Sequence, residues 1–234
     1  GKAERETEAL WNKYVPEHLL PRLHGYELLM APYAIAHLKI GLKLFETGYR
    51  FGSDERARIY LTNTLEPPSD IGQQTLSGMF PALAHEAQAV NDVKRTQRFT
   101  VVICNPPYSG HSSNVGEWIT HLVDNYYFVH GAPLGERTSK WLQDDYVKFV
   151  RCSQVIIESS GTGILGLITN HGYLTNPTFR GMRHSLATSF AKLHVADLHG
   201  NTKRREQSPN GEPDENVFDI QQGVAITVAV HESA

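Results

Sequence analysis

Cysteine is scarce in this 234-residue chain. There are only two, Cys104 and Cys152. Two cysteines without metal-ligand spacing give neither a disulfide framework nor a zinc site, so a reducing, cytoplasmic setting is expected. Long hydrophobic runs are missing too. None reaches the roughly 20 residues of a membrane span, and the opening GKAERETEAL is polar, unlike a signal peptide. An excess of one charge is also absent: 22 Lys and Arg stand against 25 Asp and Glu, for a net charge of −3. That excludes a stand-alone, strongly basic nucleic-acid module. The one basic cluster, Lys203–Arg204–Arg205, is followed closely by the acidic GEPDE and reads as a solvated loop. Twelve histidines occur, but none in an H-E-x-x-H or C-x-x-C context, so no metal site is expected. No internal repeat or low-complexity tract is present. What remains, 40% hydrophobic and 20% charged residues, is enough for a folded core in one large domain, or in one domain plus a small appendage.

Periodicity supplies the elements. Residues 4 to 20 read as a helix carrying Leu10, Trp11 and Tyr14. PRLHGYELL reads as a short strand ending near Glu27. APYAIAHLKIGLKLFETG is a helix with Ala31, Ile35, Leu38, Leu42 and Phe45 at helical spacing, Pro32 in its first turn and Gly48 as its cap. ARIYLTNTL is a strand, PALAHEAQAVNDVKR a helix, and FTVVIC a continuous apolar strand of the kind found at the centre of a parallel sheet. Residues 109 to 140 form a long irregular insert, too long for an ordinary connection. Helix DDYVKFVRCSQVIIES, strand GILGLITNHGYL, helix PTFRGMRHSLATSF and strand KLHVADLHG follow. A polar loop, 201 to 216, leads to the last strand, GVAITVAV. Strand–helix alternation predicts an α/β domain with a doubly wound, mostly parallel sheet. The two closing strands predict an antiparallel edge pair.

Gly161, Gly163 and Gly166 match G-x-G-x-x-G. That pattern holds a pyrophosphate only between a strand and the helix it opens. Here the order is reversed, so the glycines read as a helix cap and a tight turn into a strand.

The informative stretch is Asn105-Pro106-Pro107-Tyr108, at the end of FTVVIC. Ligands of open α/β sheets sit at the carboxyl ends of strands. Two prolines remove two backbone donors and stiffen the loop. The loop then presents the Asn105 amide, the Pro106 carbonyl and the Tyr108 ring. Two acceptors beside a planar ring suit an exocyclic amino group on a flat base. The acceptors take its two N–H bonds and the ring stacks on the base.

These residues resemble the catalytic motif of S-adenosylmethionine-dependent amino-methyltransferases, in particular the N6-adenine DNA methyltransferases. GYELLMAPYAIA is similar to the segment whose acidic residue binds the cofactor ribose, here Glu27. YLTNTL is similar to the segment that contacts the cofactor adenine, here Asn63 in place of the usual Asp. PTFRGMRHSL, ADLHGN and DENVFDIQQGVAI extend the likeness, from about Trp11 onward, to the methylase region of large single-chain type ISP restriction-modification proteins. The resemblance implies a class I methyltransferase fold over residues 1 to 234. It implies adenine methylation within a restriction-modification system, double-stranded DNA with a flipped adenine as substrate, and neighbouring nuclease, translocase and target-recognition regions. The first strand and its Gly-rich cofactor loop are not found in these residues, so the domain is expected to be incomplete. The same four-residue word occurs in enzymes that methylate a glutamine of peptide-chain release factors. That reading ranks second, followed by rRNA adenine methylation and a non-catalytic scaffold that retains the fold.

Overall fold

The computed structural model describes residues 2–52, 55–68, 81–108, 110, 112–135 and 139–233. The chain divides into two units, Gly1–Gln97 and Arg98–Ala234.

In the first unit, helix α1 (Lys2–Tyr14) runs into a π-turn (Val15–Leu19) and a 3₁₀ turn (Leu20–Arg22). Prolines at the start of each turn, Pro16 and Pro21, sit where a missing N–H costs no helical bond. Strand β1 (His24–Glu27), helix α2 (Met30–Glu46) and strand β2 (Arg58–Leu61) form a β–α–β unit, closed by helix α3 (Pro81–Thr96). β1 and β2 pair in parallel, Glu27 opposite Leu61. Val15, Leu20, Leu44 and Tyr49 make the core, with Trp11, Leu19 and Ile40 packed on it. α2 carries two apolar lines. The line legible in the sequence, Ile35, Leu38, Leu42 and Phe45, is exposed, and Leu44 is the one that faces the core. Gly48 follows the helix with φ of 89°, a left-handed conformation that suits glycine.

The second unit is a four-stranded sheet in the order β3-β6-β8-β7, built from Val101–Cys104, Gly163–Asn170, Val224–His231 and Lys192–Asp197 respectively. β3 and β6 are parallel. β8 pairs antiparallel with both β6 and β7, so β6 and β7 run the same way. One expectation is met and one is corrected. The two closing strands, β7 and β8, pair antiparallel at one edge of the sheet, with β8 lying between β6 and β7. The strand bearing the Asn-Pro-Pro-Tyr word is not central: among the described residues it is the other edge of this sheet, and its Val101 and Ile103 are 56% and 85% exposed.

Helices α5 (Asp145–Ser160) and α6 (Arg180–Ser189) cover one face. There Val147, Val150, Ile157, Met182, Leu186 and Phe190 meet Leu165, Leu167 and Ala229 of the sheet. Alternation along β6 leaves Ile164 on the other face, where it is exposed together with Ile226 and Val228 of β8. The sheet is therefore mixed, and the helices of this unit cover the β6 face that carries Leu165 and Leu167.

The segment from 109 to 140 is not irregular throughout. It contains helix α4 (Glu117–Asp124) and a two-residue hairpin, β4 (Phe128–Val129) with β5 (Ala132–Pro133). Ser109, His111 and residues 136–138 lie outside the described residues. Ile119, Val123 and Tyr126 are fully buried, and the Tyr126 hydroxyl donates to Gln154 of α5 at 2.8 Å. Gly161 caps α5 with φ of 77°. At Gly163 a Cβ would lie 2.6 Å from the Thr100 carbonyl. The glycine-rich word thus serves a helix end and a close strand approach.

Candidate active site

β3, β6 and β7 are parallel, so their carboxyl ends share one edge of the sheet. β3 ends at Cys104, which pairs with Leu167. The next residue, Asn105, is exposed, Pro106 is buried, and Pro107 is exposed. The Tyr108 hydroxyl is shared between the Asn105 Oδ1 and the Ile168 carbonyl, each at 3.1 Å. It fixes which way the Asn105 amide faces and leaves the second Oδ1 lone pair for a further donor. The Tyr108 ring packs on the main core. Burial, then the neighbouring Cys104, raises the Tyr108 phenol above its ordinary range. Burial pushes the Cys104 thiol up to about 11. Both groups are therefore neutral at physiological pH, and Cys104 is a packing residue rather than a nucleophile.

The loop beyond Tyr108 is tied to the start of α5. The Gly110 amide donates to the Asp144 carboxylate. Ser112 Oγ and Asn114 Nδ2 donate to Asp145 Oδ1 at 2.6 and 2.9 Å. Lys148 Nζ, on a side chain only 1% exposed, donates to Ser112 Oγ and the Asn114 carbonyl at 2.9 and 2.6 Å. Burial lowers the Lys148 pKa, and Asp145 and Asp144 oppose that shift. These bonds pin the loop that presents Asn105 and Tyr108. Nothing in the sequence pattern distinguishes Ser112, Asp145 and Lys148 from ordinary surface residues.

A second polar cluster sits at the ends of β6 and β7. The Asn170 side chain accepts from the Gly172 amide at 2.7 Å. His171, only 5% exposed, places Nδ1 at 2.9 Å from Asp197 Oδ1 and Nε2 at 3.2 Å from Asn201 Nδ2. A Cβ at Gly223 would overlap the His171 ring. Burial would raise the Asp197 carboxyl, but the His199 amide and the His171 ring outweigh it and hold it below the usual carboxylate range. The signal for this cluster was the pair of words TNHGYL and ADLHGN, each at a strand end. Among the described residues no group of three His, Cys, Asp or Glu side chains could hold a metal ion.

In the first unit, Glu27 ends β1 and its Oε1 accepts from the Leu28 and Leu29 amides at 2.9 and 3.1 Å. The Thr62 amide donates to the Glu27 carbonyl at 2.7 Å, so Asn63 follows at the same edge of this strand pair. Asn63 Oδ1 accepts from the Leu65 amide at 3.0 Å, and its Nδ2 donates to Glu66 at 3.1 Å. Lys94 of α3 clamps this turn through the Asn63 and Glu66 carbonyls at 2.7 and 2.8 Å. A cleft of about 360 Å³, lined by Arg56, Arg58, His85 and Glu86 among others, opens at the amino end of β2, away from Glu27.

Strand β3 thus runs into an exposed Asn105, which is bonded through its side chain to Tyr108 and followed by the buried Pro106. Comparisons with known proteins give the family. Residues 29–203 match the Eco57I restriction-modification methylases, and the chain belongs to that family. No curated protein matches the chain. Three of the similar solved structures serve as examples. One is the ATP-dependent Type ISP restriction-modification enzyme LlaBIII bound to DNA, at 26% identity and a TM-score of 0.70, over 90% of this chain and 14% of that one. Another is a DrdV–DNA complex, at 24% identity and a TM-score of 0.71, over 90% of this chain and 20% of that one. The third is a nuclease-deletion mutant of the Type ISP enzyme LlaGI with a DNA substrate mimic, at 20% identity and a TM-score of 0.68, over 91% of this chain and 19% of that one. The second and third likenesses concern the fold. The chain thus spans between 14% and 20% of these much larger proteins. Among the described residues no helix is long and apolar enough to cross a membrane.

Proposed function

We propose that this chain is the catalytic region of a DNA methyltransferase that moves a methyl group from S-adenosylmethionine to N6 of adenine. The observation that carries this reading is the Asn105 amide, exposed at the carboxyl edge of β3 and oriented by Tyr108. Family membership supplies the reaction class, and the DNA-bound state of the similar structures supports DNA as the partner.

The proposed mechanism needs no strong base. Adenine N6 is unreachable inside a duplex, so the base is flipped out. Asn105 Oδ1 and the Pro106 carbonyl accept the two N6 hydrogens, and the Tyr108 ring stacks on the base, for about 1–3 kcal/mol. The N6 lone pair is then held in line with an electrophilic carbon whose bond to the donor sulfur would break as the N–C bond forms. The acceptors match the positive charge developing on nitrogen, and the N6 proton that becomes acidic is released past them to solvent. Pro106 and Pro107 keep the acceptors in place without competing donors.

The methyl donor supplies a sulfonium-activated methyl group. The residues present fit two parts of it. Glu27 is already oriented by two amides through Oε1, and its other oxygen can accept from a ribose diol. Asn63, whose Oδ1 already accepts from the Leu65 amide, is the residue proposed to meet the cofactor adenine. The methionine end needs backbone amides of a Gly-rich turn, and no such segment occurs in these 234 residues. The doubly wound class I architecture, the supply of that segment by a longer polypeptide, and the neighbouring nuclease, translocase and target-recognition regions belong to the same proposal. Calorimetry on the 234-residue chain tests this part, with weak or no S-adenosylmethionine binding as the expected result and tight stoichiometric binding as the opposing one.

A further inference from the structure

The sequence reads Lys203, Arg204 and Arg205 as a solvated loop neutralised by the acid-rich stretch after them. The structure shows a different arrangement. The carboxylates nearest the turn are spent on the loop's own backbone. Glu206 Oε2 accepts from the Asn201 amide at 2.9 Å, and Asp214 Oδ2 accepts from the Gly200 amide at 2.9 Å. Glu212 and Glu215 are exposed. Lys203, Arg204 and Arg205 are exposed as well, and none of the three makes an ion pair or side-chain hydrogen bond among the described residues.

The turn is also built rather than loose. Asn201 Oδ1 accepts from the Arg204 amide at 3.1 Å, while its Nδ2 reaches the buried His171. Gly200 has φ of 74°, and a Cβ there would lie 2.6 Å from Asn216 Cα. The Asn216 amide holds the Gly200 and Gln222 carbonyls at 3.1 and 2.6 Å. Arg205 closes the turn in a left-handed conformation with φ of 53°.

Its place in the fold completes the case. The turn begins at the carboxyl end of β7, parallel to β6 and on the edge that carries Asn105. Asn201 holds His171, which follows the end of β6, and Tyr108 holds Ile168 of the same strand. On a chain with net charge −3, three unpaired cations are concentrated on the edge where the methyl-accepting base is proposed to enter.

We infer that Lys203, Arg204 and Arg205 form a phosphodiester-binding turn that grips the DNA strand carrying the target base. The inference rests on the DNA-methylation reading above. Guanidinium and ammonium groups match phosphate oxygens in charge and geometry. Each neutralised phosphate releases a condensed counterion, so the contacts have a salt signature.

The test uses the longest native polypeptide containing this sequence. The triple variant Lys203→Gln/Arg204→Gln/Arg205→Asn removes the charges, and Asn tolerates the left-handed backbone at 205. DNA affinity and methylation are measured between 50 and 200 mM salt. The expected result is a KM for DNA raised about tenfold or more, a much smaller fall in kcat, and a salt slope shallower by about 0.9 per lost contact. The charge-preserving variant Lys203→Arg/Arg204→Lys/Arg205→Lys restores both slope and KM. Lys192→Ala, at the opposite end of β7, changes neither. If the wild type methylates DNA and the charge-free variant keeps the wild-type KM and slope, the binding turn is refuted while the functional reading stands. A variant that loses affinity with an unchanged salt slope also refutes it, because the loss is then structural. If the wild type binds DNA with the predicted slope difference but methylates something else, the functional reading fails and the binding turn survives.

Discussion

Replacing Tyr108 with Phe removes one oxygen atom and separates the two jobs of that side chain. The ring stays, and with it the stacking surface and the packing on the core. One donated proton goes, shared between Asn105 Oδ1 and the Ile168 carbonyl, both at 3.1 Å. A neutral bond of this kind is worth about 1 kcal/mol net, divided here between the two acceptors. Freeing the Asn105 amide to rotate takes up to about 1 kcal/mol of positioning, which lowers kcat at most roughly fivefold. The stability change through the Ile168 carbonyl stays within about 1 kcal/mol. Because the phenol pKa is raised, Tyr108 stays a donor across the working pH range. The ratio of wild-type to variant rates is therefore flat between about pH 6 and 9. Single-turnover methyl transfer under saturating DNA measures this directly. A fall of a hundredfold or more would mean that the hydroxyl takes part in chemistry. An unchanged kcat together with an unchanged melting temperature would mean that the bond does not position Asn105.

Other perturbations have equally definite outcomes. Asn105→Ala abolishes methyl transfer while thermal stability stays within about 1 kcal/mol, because the side chain is exposed; activity and melting curves check both halves. Lys148→Met leaves the Asn114 carbonyl and Ser112 without their buried donor. It destabilises the loop after Tyr108 by about 1–3 kcal/mol, seen as faster limited proteolysis near residue 112. Asp197 has a depressed folded-state pKa, so its contribution is present above the usual carboxylate range and is lost as pH falls through the lower folded value. Asp197→Asn flattens that acid limb of the stability profile, measured by denaturation from pH 6 down to 2. Gly161→Ala costs about 1 kcal/mol through its left-handed backbone, yet leaves S-adenosylmethionine affinity of the longer protein unchanged, because the glycine caps a helix.

The parts of the fold legible in the sequence were those set by local chemistry. Two prolines after an apolar run mark a strand end wherever the strand sits, and Gly161 and Gly48 announce helix ends through conformations other residues avoid. Strand order is not local. Nothing in GVAITVAV says that β8 inserts between β6 and β7, because that choice depends on how the loop from 201 to 216 folds back. FTVVIC looks central by composition, whereas its neighbour count is a property of the whole sheet. In α2 the lines Ile35–Leu38–Leu42–Phe45 and Ile40–Leu44 share one period, so periodicity alone does not say which faces inward. Helix α4 was missed although Trp118, Ile119, Leu122 and Val123 are helically spaced, because the Ser, Asn and Gly before it dominate the local signal. At the candidate site, Asn105 and Tyr108 stood out by residue type. Lys148 and His171 did not, since a buried lysine or histidine acquires its role from partners distant in sequence.

The central claim is that Asn105 holds an adenine amino group for methylation. The most direct measurement gives the longest native polypeptide containing this sequence duplex DNA and isotopically labelled S-adenosylmethionine, then digests the DNA to nucleosides for mass spectrometry. The expected label is in N6-methyl-2′-deoxyadenosine for the wild type and nowhere for Asn105→Ala. Label in a cytosine derivative or in a protein glutamine, or an Asn105→Ala variant that methylates adenine at the wild-type rate, would contradict the account.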